Sequence, residues 1–384
     1  MEQRAQGGHD GVGGQDRPLR GTRGPLHEAL DALLLDLDGT VYTGPRPVPG
    51  APEVVGALQG RGVRCCYLTN NASRTAAATA ELLAGMGLPA TADDVVTSAQ
   101  AAAALLASEL RAGDAVLVVG GEGLEVALRD EGLVPVRSLD DGPRAVVQGF
   151  HPSVGWAQLA EAAYGVQAGL PWVATNLDLS IPTDRGVAPG NGSLVAAVRA
   201  AVHVDPRVAG KPERALVDAA LARTGSRSAL VVGDRLDTDI ACAVRAGLPS
   251  LAVLTGVSDA ARLLAAAPGE RPTYLAGDLG GLLVEHPDVE QRDGAWWCGG
   301  WRAAVGTGGA AGGPSLAVQP AGEERPGGDG WDALRAACAA RWAHEGEVLL
   351  QEALDALERV APAVDGRSAL AAVEALGDAV PDEG

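Results

Sequence analysis

The amino-acid sequence predicts an α/β protein: a Rossmann-like parallel-sheet core, an inserted α/β domain and a small C-terminal α+β extension. Short apolar runs that end in polar residues alternate with longer Ala- and Leu-rich helical stretches. This alternation is typical of parallel strands joined by crossover helices. The chain has 384 residues, which is more than one hydrophobic core usually serves. Two or three domains are therefore expected.

The predicted core comes from two separate parts of the chain. Residues 32–37 are apolar except for Asp36, as expected for a strand that is buried on both faces. The other predicted core strands are residues 63–68, 229–232 and 250–254. The predicted core helices are residues 212–223 and 238–246. We assign the core to residues 27–100 and 204–285. The strands of both parts end in polar residues, and these residues would form a complete functional site only if the two parts belong to one domain.

The inserted domain is assigned to residues 101–203. It carries its own short apolar runs, each followed by a helix-like segment or a loop. These predicted strands are residues 115–119, 145–147 and 172–174.

Both ends of the chain differ in composition from the middle. Residues 1–26 are rich in Gly, Arg and Gln and are predicted to be a disordered tail. The extension, residues 286–384, holds five of the seven tryptophans and two Gly-rich stretches. We expect it to form a strand or two and then helices over 331–344 and 347–360, followed by a frayed end or one more weak helix.

Composition excludes several classes of partner. The net charge of −19 argues against nucleic acid, because a phosphate backbone favours a basic surface. Five cysteines without C-x-x-C spacing fit reduced cytosolic thiols. The N-terminus lacks an apolar signal segment, and the sequence has no apolar run of about 18 residues that would span a membrane. We therefore predict a cytoplasmic protein without a membrane or nucleic-acid partner.

Two carboxylates follow the first predicted strand. Asp36 and Asp38, in the run Asp-Leu-Asp-Gly-Thr, stand at the carboxyl end of a parallel strand, where open α/β sheets bind ligands. They are two residues apart and project differently, so one can attack a phosphorus atom while the other reaches the leaving oxygen. By itself the motif fits a helix cap or a turn equally well.

Further polar groups occupy comparable positions. Thr69, Asn70 and Asn71 follow the second predicted strand and offer neutral donors for phosphate oxygens, although such a turn is common without any function. Lys211 is the only lysine among 30 basic residues, and it stands just before a predicted helix, against the helix dipole. A compact ammonium that fits between carboxylates and phosphate would explain why arginine does not replace it.

Clustered acids follow the predicted strand at 229–232. Asp234 is the expected ligand of Mg²⁺, which prefers oxygen donors and takes one or two carboxylates from the protein. The sequence does not separate Mg²⁺ from Mn²⁺. Asp239, one helical turn later, is expected to order a metal-bound water, whereas Asp237 fits a helix start.

These motifs, in this order and at these strand ends, resemble the haloacid dehalogenase superfamily. The resemblance is to its subfamily IIA, which includes NagD-like, para-nitrophenyl and phosphoglycolate phosphatases. It runs from about Ala32 to Leu283 and includes residues 172–176, 189–192 and 254–257.

The resemblance implies a role for each motif. Asp36 would be the nucleophile and a metal ligand. Asp38 would be the general acid and base, with its backbone carbonyl at the metal. Lys211 would hold Asp36 and the phosphate in line, and Asp234 would complete the Mg²⁺ site.

The phosphoryl oxygens would be held by Thr69, Asn70 and Asn71. The insertion would be a cap that closes over the leaving group. Its expected substrate-facing segment is residues 176–193, which include Asp178, Asp184, Arg185 and Asn191.

The extension departs from this family pattern. It resembles a fragment of an acetyltransferase-type fold, as found in actinobacterial glycerol 3-phosphate phosphatases of this branch, and we predict a packing or oligomerisation role for it. The expected function is hydrolysis of a small phosphorylated metabolite, with glycerol 3-phosphate preferred on account of the extension. Phosphoglycolate, a nucleotide and pyridoxal phosphate remain alternatives, as do phosphoryl transfer to an alcohol and a non-catalytic scaffold. A homo-oligomer is an open alternative to a monomer.

Overall fold

The computed structural model describes residues 19–183, 185–307, 313–322 and 329–378. The strands, in chain order, are β1 (Ala32–Asp36), β2 (Tyr42–Thr43), β3 (Arg46–Pro47), β4 (Arg64–Thr69), β5 (Val95–Thr97), β6 (Ala115–Val119), β7 (Val134–Val136), β8 (Ala145–Gln148), β9 (Trp172–Ala174), β10 (Ser180–Thr183), β11 (Gly186–Pro189), β12 (Arg207–Val208), β13 (Ala229–Gly233), β14 (Ser250–Val253), β15 (Tyr274–Ala276), β16 (Val289–Arg292), β17 (Ala295–Cys298), β18 (Trp301–Thr307) and β19 (Pro314–Pro320). The α-helices are α1 (Ala51–Gly60), α2 (Ala76–Gly85), α3 (Ser98–Ala107), α4 (Glu122–Asp130), α5 (Trp156–Gln167), α6 (Asn191–Val202), α7 (Ala215–Thr224), α8 (Ala241–Ala246), α9 (Ala260–Leu264), α10 (Asp332–Trp342), α11 (Gln351–Val360) and α12 (Arg367–Asp378).

The first sheet contains six parallel strands in the order β15-β14-β13-β1-β4-β5. Its central strand β1 is buried on both faces. Leu34 packs on one face with residues of α7, and Leu33 and Leu35 pack on the other with residues of α1. All three leucines are 0 % exposed, which explains the continuous apolar run in the sequence. The predicted Rossmann-like α/β core is confirmed.

The second sheet comes mainly from the predicted insertion and contains five parallel strands in the order β12-β9-β8-β6-β7. β6 and β9 coincide with predicted strands, whereas β7 and β12 were not predicted because both are short and β7 contains a proline. β12 pairs with β9, so this sheet extends past the boundary predicted at residue 203. The antiparallel hairpin β10-β11 lies between β9 and α6.

The third sheet belongs to the extension and is larger than predicted. Four antiparallel strands, β16-β17-β18-β19, pair in sequence order, where a strand or two was expected. Helix α10 packs on this sheet through buried Ala336, Ala337 and Cys338, and α11 and α12 follow it. The additional strands escaped prediction because Val289 is the only apolar residue of β16 and the connection after β18 is Gly-rich. Residues 308–312 and 323–328, within the predicted Gly-rich stretches, lie outside the described residues.

The predicted N-terminal tail, residues 1–26, is too long by several residues. Residues 1–18 lie outside the part that the structure describes. Leu19 is 2 % exposed and packs with Leu275 of β15, and the Thr22 N–H donates to the His286 carbonyl at 2.9 Å. The burial of Leu19 and Leu26 is the reason that this segment is ordered against the body.

The last described helix, α12, lies against the first sheet's helical layer. Ala369 is 1 % exposed and belongs to the same buried cluster as Leu33 and Leu35 of β1. Of the two expectations for the chain end, the additional helix is the one observed. None of the described helices is long and apolar enough to cross a membrane.

Candidate active site

Three strand ends of the first sheet meet at one point. Asp36 ends β1, Thr69 ends β4, and Asp234 directly follows β13. Because β1 lies between β13 and β4 and all three are parallel, their carboxyl ends share one edge of the sheet. Lys211 reaches the same edge from the segment between β12 and α7.

The Lys211 ammonium is enclosed by oxygen atoms. Its Nζ pairs with a carboxylate oxygen of Asp36, lies 2.6 Å from Asp239 Oδ1 and donates to the Leu68 carbonyl at 3.3 Å. The side chain is only 3 % exposed. Burial disfavours the charged form, but the charges of Asp239 and Asp36 outweigh burial and raise the pKa of Lys211. The lysine is therefore charged at neutral pH.

Three carboxylates lie close together beside this one ammonium. The groups of Asp36, Asp234 and Asp239 each place an oxygen within 4.8 Å of the others. Burial and the charge of Asp239 raise the pKa of Asp36 well above its ordinary value despite Lys211. The same two causes raise the pKa of Asp234 to about 6. One ammonium does not balance three carboxylates, so the cluster favours uptake of a further cation.

Asp234 offers a donor atom for such a cation. Its Oδ2 accepts the Val257 N–H at 2.6 Å, whereas its Oδ1 is buried and makes no hydrogen bond. A buried carboxylate oxygen without a partner is costly, and a metal ion would satisfy it. The oxygen donors of Asp36 and Asp234 are those that Mg²⁺ and Mn²⁺ prefer. The residues present therefore fit a divalent cation with oxygen ligands.

Asp239 contacts the lysine directly, which the sequence did not predict. It is 1 % exposed, and its Oδ2 accepts the Arg235 N–H at 3.1 Å while Oδ1 faces Lys211 Nζ. Its observed contacts thus orient the ammonium. A role in ordering a metal-bound water stays a prediction.

Two glycines allow the backbone to approach Asp234. A Cβ atom at Gly39, where φ is +94°, would lie 2.5 Å from Asp234 Oδ2, and one at Gly256 would lie 2.0 Å from it. The loop after β14 therefore belongs to the site, and Thr255 Oγ1 donates to the Gly39 carbonyl in the same contact. This loop lies within the family resemblance, at residues 254–257, but its sequence alone indicates no role for it.

Asp38 is the solvent-facing carboxylate of the site. Protein atoms crowd one side of it and raise its pKa, against the opposing effect of the Gly44 N–H, which donates to the carboxylate. Tyr42 is buried beside it, and burial with the charges of Asp38 and Asp36 raises the pKa of Tyr42 to about 12. An accessible carboxylate whose pKa is raised suits proton transfer with a bound ligand.

The three residues after β4 differ in what they contact. Thr69 is 6 % exposed and its Oγ1 accepts the Asn71 N–H at 3.0 Å. Asn71 is exposed, and its Oδ1 accepts from the Ser73 N–H at 2.9 Å. The side chain of Asn70 instead bonds to the backbone of Lys211. Phosphate binding by these residues remains a prediction.

The segment predicted to face the substrate contains both structural and site-facing residues. Asn191 is 1 % exposed, and its Nδ2 donates to the Asn176 carbonyl at 2.8 Å, so it supports the loop. Asp178 is half-buried and accepts from Asn70. Arg185 is exposed in the turn of the β10-β11 hairpin, and Asp184 lies outside the described residues.

Comparisons with known proteins agree with this geometry. A family profile described as haloacid dehalogenase-like hydrolase matches residues 33–134, and one described as HAD-hydrolase-like matches residues 208–282. The D-glycerol 3-phosphate phosphatase of Mycobacterium tuberculosis is 53 % identical over 252 residues, which are 66 % of this chain and 70 % of that protein. An acid sugar phosphatase of Staphylococcus aureus is 37 % identical over 256 residues, which are 66 % of this chain and 97 % of that protein.

Solved structures give the same result for the fold. The crystal structure of a glycerol phosphate phosphatase from Mycobacterium tuberculosis in complex with magnesium has a TM-score of 0.76 at 45 % identity and covers 88 % of this chain and 98 % of its own. A p-nitrophenyl phosphatase from Archaeoglobus fulgidus has a TM-score of 0.60 at 27 % identity and covers 65 % of this chain and 97 % of its own. The chain is a phosphatase that belongs to the haloacid dehalogenase-like hydrolases, among their NagD-like and para-nitrophenyl phosphatase members.

Proposed function

We propose that the protein is a Mg²⁺-dependent phosphomonoester hydrolase that forms a phospho-aspartate on Asp36 and that acts best on glycerol 3-phosphate. The observation that carries the reaction is the buried cluster of Asp36, Lys211 and Asp234, in which Asp234 Oδ1 has no hydrogen-bond partner. The choice of substrate rests on the 53 % identity with the D-glycerol 3-phosphate phosphatase. It also rests on the extension, because the glycerol phosphate phosphatase structure covers 88 % of this chain, whereas the p-nitrophenyl phosphatase structure covers 65 %.

The first step transfers the phosphoryl group to the protein. A carboxylate oxygen of Asp36 attacks phosphorus, the bond between phosphorus and the leaving oxygen breaks, and Asp38 gives its proton to the departing alcohol. Lys211 Nζ, beside the Asp36 carboxylate, holds the nucleophile and a phosphoryl oxygen together. The raised pKa of Asp38 favours the protonated form that this step needs.

The second step returns the protein to its starting state. Asp38 removes a proton from water, the water oxygen attacks phosphorus, and the bond to Asp36 breaks to release inorganic phosphate. Thr69 and the backbone at Asn70 and Asn71 would donate to the phosphoryl oxygens. A magnesium ion held by Asp36, Asp234 and the Asp38 carbonyl would neutralise negative charge on the transferring group.

The second sheet and its helices would form the cap over this site. Residues 176–178 follow β9 and reach the core at Asn70, which places them at the entrance for the leaving group. A closed cap excludes water while the alcohol departs.

Phosphate release from a panel of esters tests the proposal. The panel contains glycerol 3-phosphate, phosphoglycolate, a sugar phosphate, a nucleotide, pyridoxal phosphate and para-nitrophenyl phosphate, each with Mg²⁺ and with chelator. We expect glycerol 3-phosphate to be hydrolysed fastest, and Asp36→Asn to lower the rate by about a thousandfold or more because the nucleophile is lost. Asp205→Asn, which alters a 71 % exposed carboxylate that pairs with Arg199, is the matched control.

The outcomes separate the parts of the proposal. Faster release from another ester would overturn the substrate, and unchanged rates with chelator would overturn the metal. Full activity in Asp36→Asn would overturn the phospho-aspartate.

A further inference from the structure

The side-chain amide of Asn70 pairs with both backbone groups of Lys211. Asn70 Oδ1 accepts the Lys211 N–H at 2.8 Å, and Asn70 Nδ2 donates to the Lys211 carbonyl at 3.1 Å. Two hydrogen bonds to one residue restrain both its position and its orientation. The residue that follows β4 therefore holds the backbone of the lysine whose ammonium lies against Asp36.

The cap contacts the same amide through Asp178. Asn70 Nδ2 also donates to Asp178 Oδ2 at 3.2 Å. A carboxylate only accepts hydrogen bonds, so this contact favours the amide orientation in which nitrogen faces Asp178 and the Lys211 carbonyl. In the flipped orientation, the amide oxygen would face two acceptors and the amide nitrogen would face the Lys211 N–H.

The backbone of Asn70 is held from the cap as well. Its carbonyl accepts from Asn176 Nδ2 at 2.7 Å and from Ser98 Oγ at 2.6 Å. Asn176 Oδ1 in turn accepts the Asp178 N–H at 3.1 Å. One short cap segment thus contacts Asn70 at both its backbone and its side chain.

The fit around this contact is tight. A Cβ atom at Gly210, just before the lysine, would lie 2.6 Å from Asn70 Oδ1 and 2.3 Å from the Thr175 carbonyl. No larger residue fits without a backbone shift. Lys211 therefore has little freedom to move independently of Asn70 and of the strand end at Thr175.

We propose that Asn70 is a positioning residue whose side chain fixes Lys211, and that Asp178 of the cap acts through Asn70. This inference rests on the proposed hydrolase function and extends it: cap docking and lysine placement become one event. The side chain of Asn70 is then not a phosphate ligand, in contrast to the expectation from the sequence. Asp178 is likewise not a contact for the hydroxyl groups of the leaving alcohol.

Two substrates and four variants test the inference. Rates are measured for Asn70→Ala, Asp178→Ala, Asp178→Asn and the double alanine variant, with glycerol 3-phosphate and with para-nitrophenyl phosphate, whose leaving group has no such hydroxyls. We expect Asn70→Ala to lower kcat by about 10- to 100-fold, because a misplaced catalytic group costs rate. Asp178→Ala should lower kcat by about 3- to 10-fold with both substrates and change KM by less than about twofold.

The conservative and double variants separate positioning from a general loss of structure. Asp178→Asn keeps an acceptor oxygen for Asn70 and should stay within about threefold of wild type. If Asp178 acts through Asn70, the double variant is no slower than Asn70→Ala alone. Asp205→Ala, in an exposed ion pair of the cap with Arg199, is the control. Thermal unfolding identifies variants that do not fold, and if Asn70→Ala is one, the two Asp178 variants decide the matter.

Several results would overturn the inference. A loss in Asp178→Ala that is confined to glycerol 3-phosphate would assign Asp178 to the leaving group. If the loss of kcat in the double variant equals the product of the two single losses, Asp178 does not act through Asn70. If Asp178→Asn and Asp178→Ala lose the same activity, the acceptor oxygen of Asp178 is not what positions Asn70. A wild-type protein that releases no phosphate from any ester would overturn the proposed function and this inference together, whereas the other results leave the proposed function intact.

Discussion

At the scale of single residues, the surroundings of Lys211 explain why a lysine and not an arginine occupies this position. Its ammonium has three oxygen neighbours and is 3 % exposed. An arginine would bring a planar group with five donors into a space that holds one nitrogen atom. The rest of the described basic residues are arginines, so size and geometry, and not charge alone, distinguish this position.

Replacement of this lysine tests the point. We expect Lys211→Arg to keep the positive charge yet lower kcat by about 100-fold or more, because the larger guanidinium displaces Asp36 from the phosphoryl group or breaks the contact with Asp239. Steady-state kinetics with para-nitrophenyl phosphate measures the loss. Arg214→Lys is the reverse exchange at an arginine that is 58 % exposed and pairs with Asp218 one helical turn later, and it should leave the rate unchanged. A fully active Lys211→Arg would contradict this account.

The sequence identified the residues of this cluster better than their contacts. Asp36, Thr69 and Asp234 follow apolar runs, and parallel strands bring their ends together, so their convergence was predictable. The pairing of Asp239 with Lys211 and of Asn70 with the Lys211 backbone depends on distances across separate elements. No local pattern carries such distances. The roles of these residues in the reaction remain predictions.

At the scale of elements, β1 carries Asp36, the proposed nucleophile, at the end of a strand whose leucines are fully buried. Leu33 and Leu35 face one helical layer and Leu34 faces the other. Burial of each leucine contributes about 1.5–3 kcal/mol relative to exposure. The packing fixes the strand end, and with it Asp36.

A cavity in this strand would reduce stability. We expect Leu34→Ala, at 0 % exposure, to lower the free energy of unfolding by about 2–5 kcal/mol, because the removed side chain leaves a void. Chemical denaturation measures the change. Leu370→Ala on α12, where the leucine is 40 % exposed, should cost much less. Equal losses in the two variants would argue against the buried position of β1.

Elements were predictable where burial leaves a simple pattern. β6 and β9 coincide with predicted runs, because strands of a covered parallel sheet are continuously apolar. β16 carries charged side chains on an antiparallel edge, and β12 has only two residues. Such strands owe their pairing to neighbours and not to their own composition.

At the scale of the whole molecule, one buried arginine joins the extension to the first sheet. Arg335 of α10 is 2 % exposed, and it donates to the Leu275 carbonyl of β15 at 2.5 Å. Asp329 and Asp332 both pair with its guanidinium. A buried charge with several partners is costly to disrupt, so we expect the extension and the first sheet to unfold together.

Removal of one partner should weaken this junction in a pH-dependent way. Burial alone would raise the pKa of Asp329. The hydrogen bond and the charge of Arg335 outweigh burial, so the pKa of Asp329 is lowered. A carboxyl with a depressed folded-state pKa stabilises the protein above its unfolded pKa, about 3.9, and loses that effect as pH falls through the folded-state value. We expect Asp329→Asn to cost about 1–3 kcal/mol at pH 7, with the difference from wild type shrinking below about pH 4.

Thermal unfolding between pH 3 and pH 7 measures this difference. Asp365→Asn, whose partner Arg367 is 90 % exposed, is the control and should change stability little at any pH. A cost of Asp329→Asn that stays constant across the range would show that the charge of Asp329 is not what stabilises the junction.

The single lysine also makes this protein accessible to spectroscopy. Because Lys211 is the only lysine in the chain, growth with lysine that is isotope-labelled at Nζ alone introduces one labelled atom, beside Asp36. The side-chain NMR spectrum then contains one lysine signal, which needs no assignment. Its chemical shift reports directly on phosphate, metal and cap contacts at the ammonium during a titration.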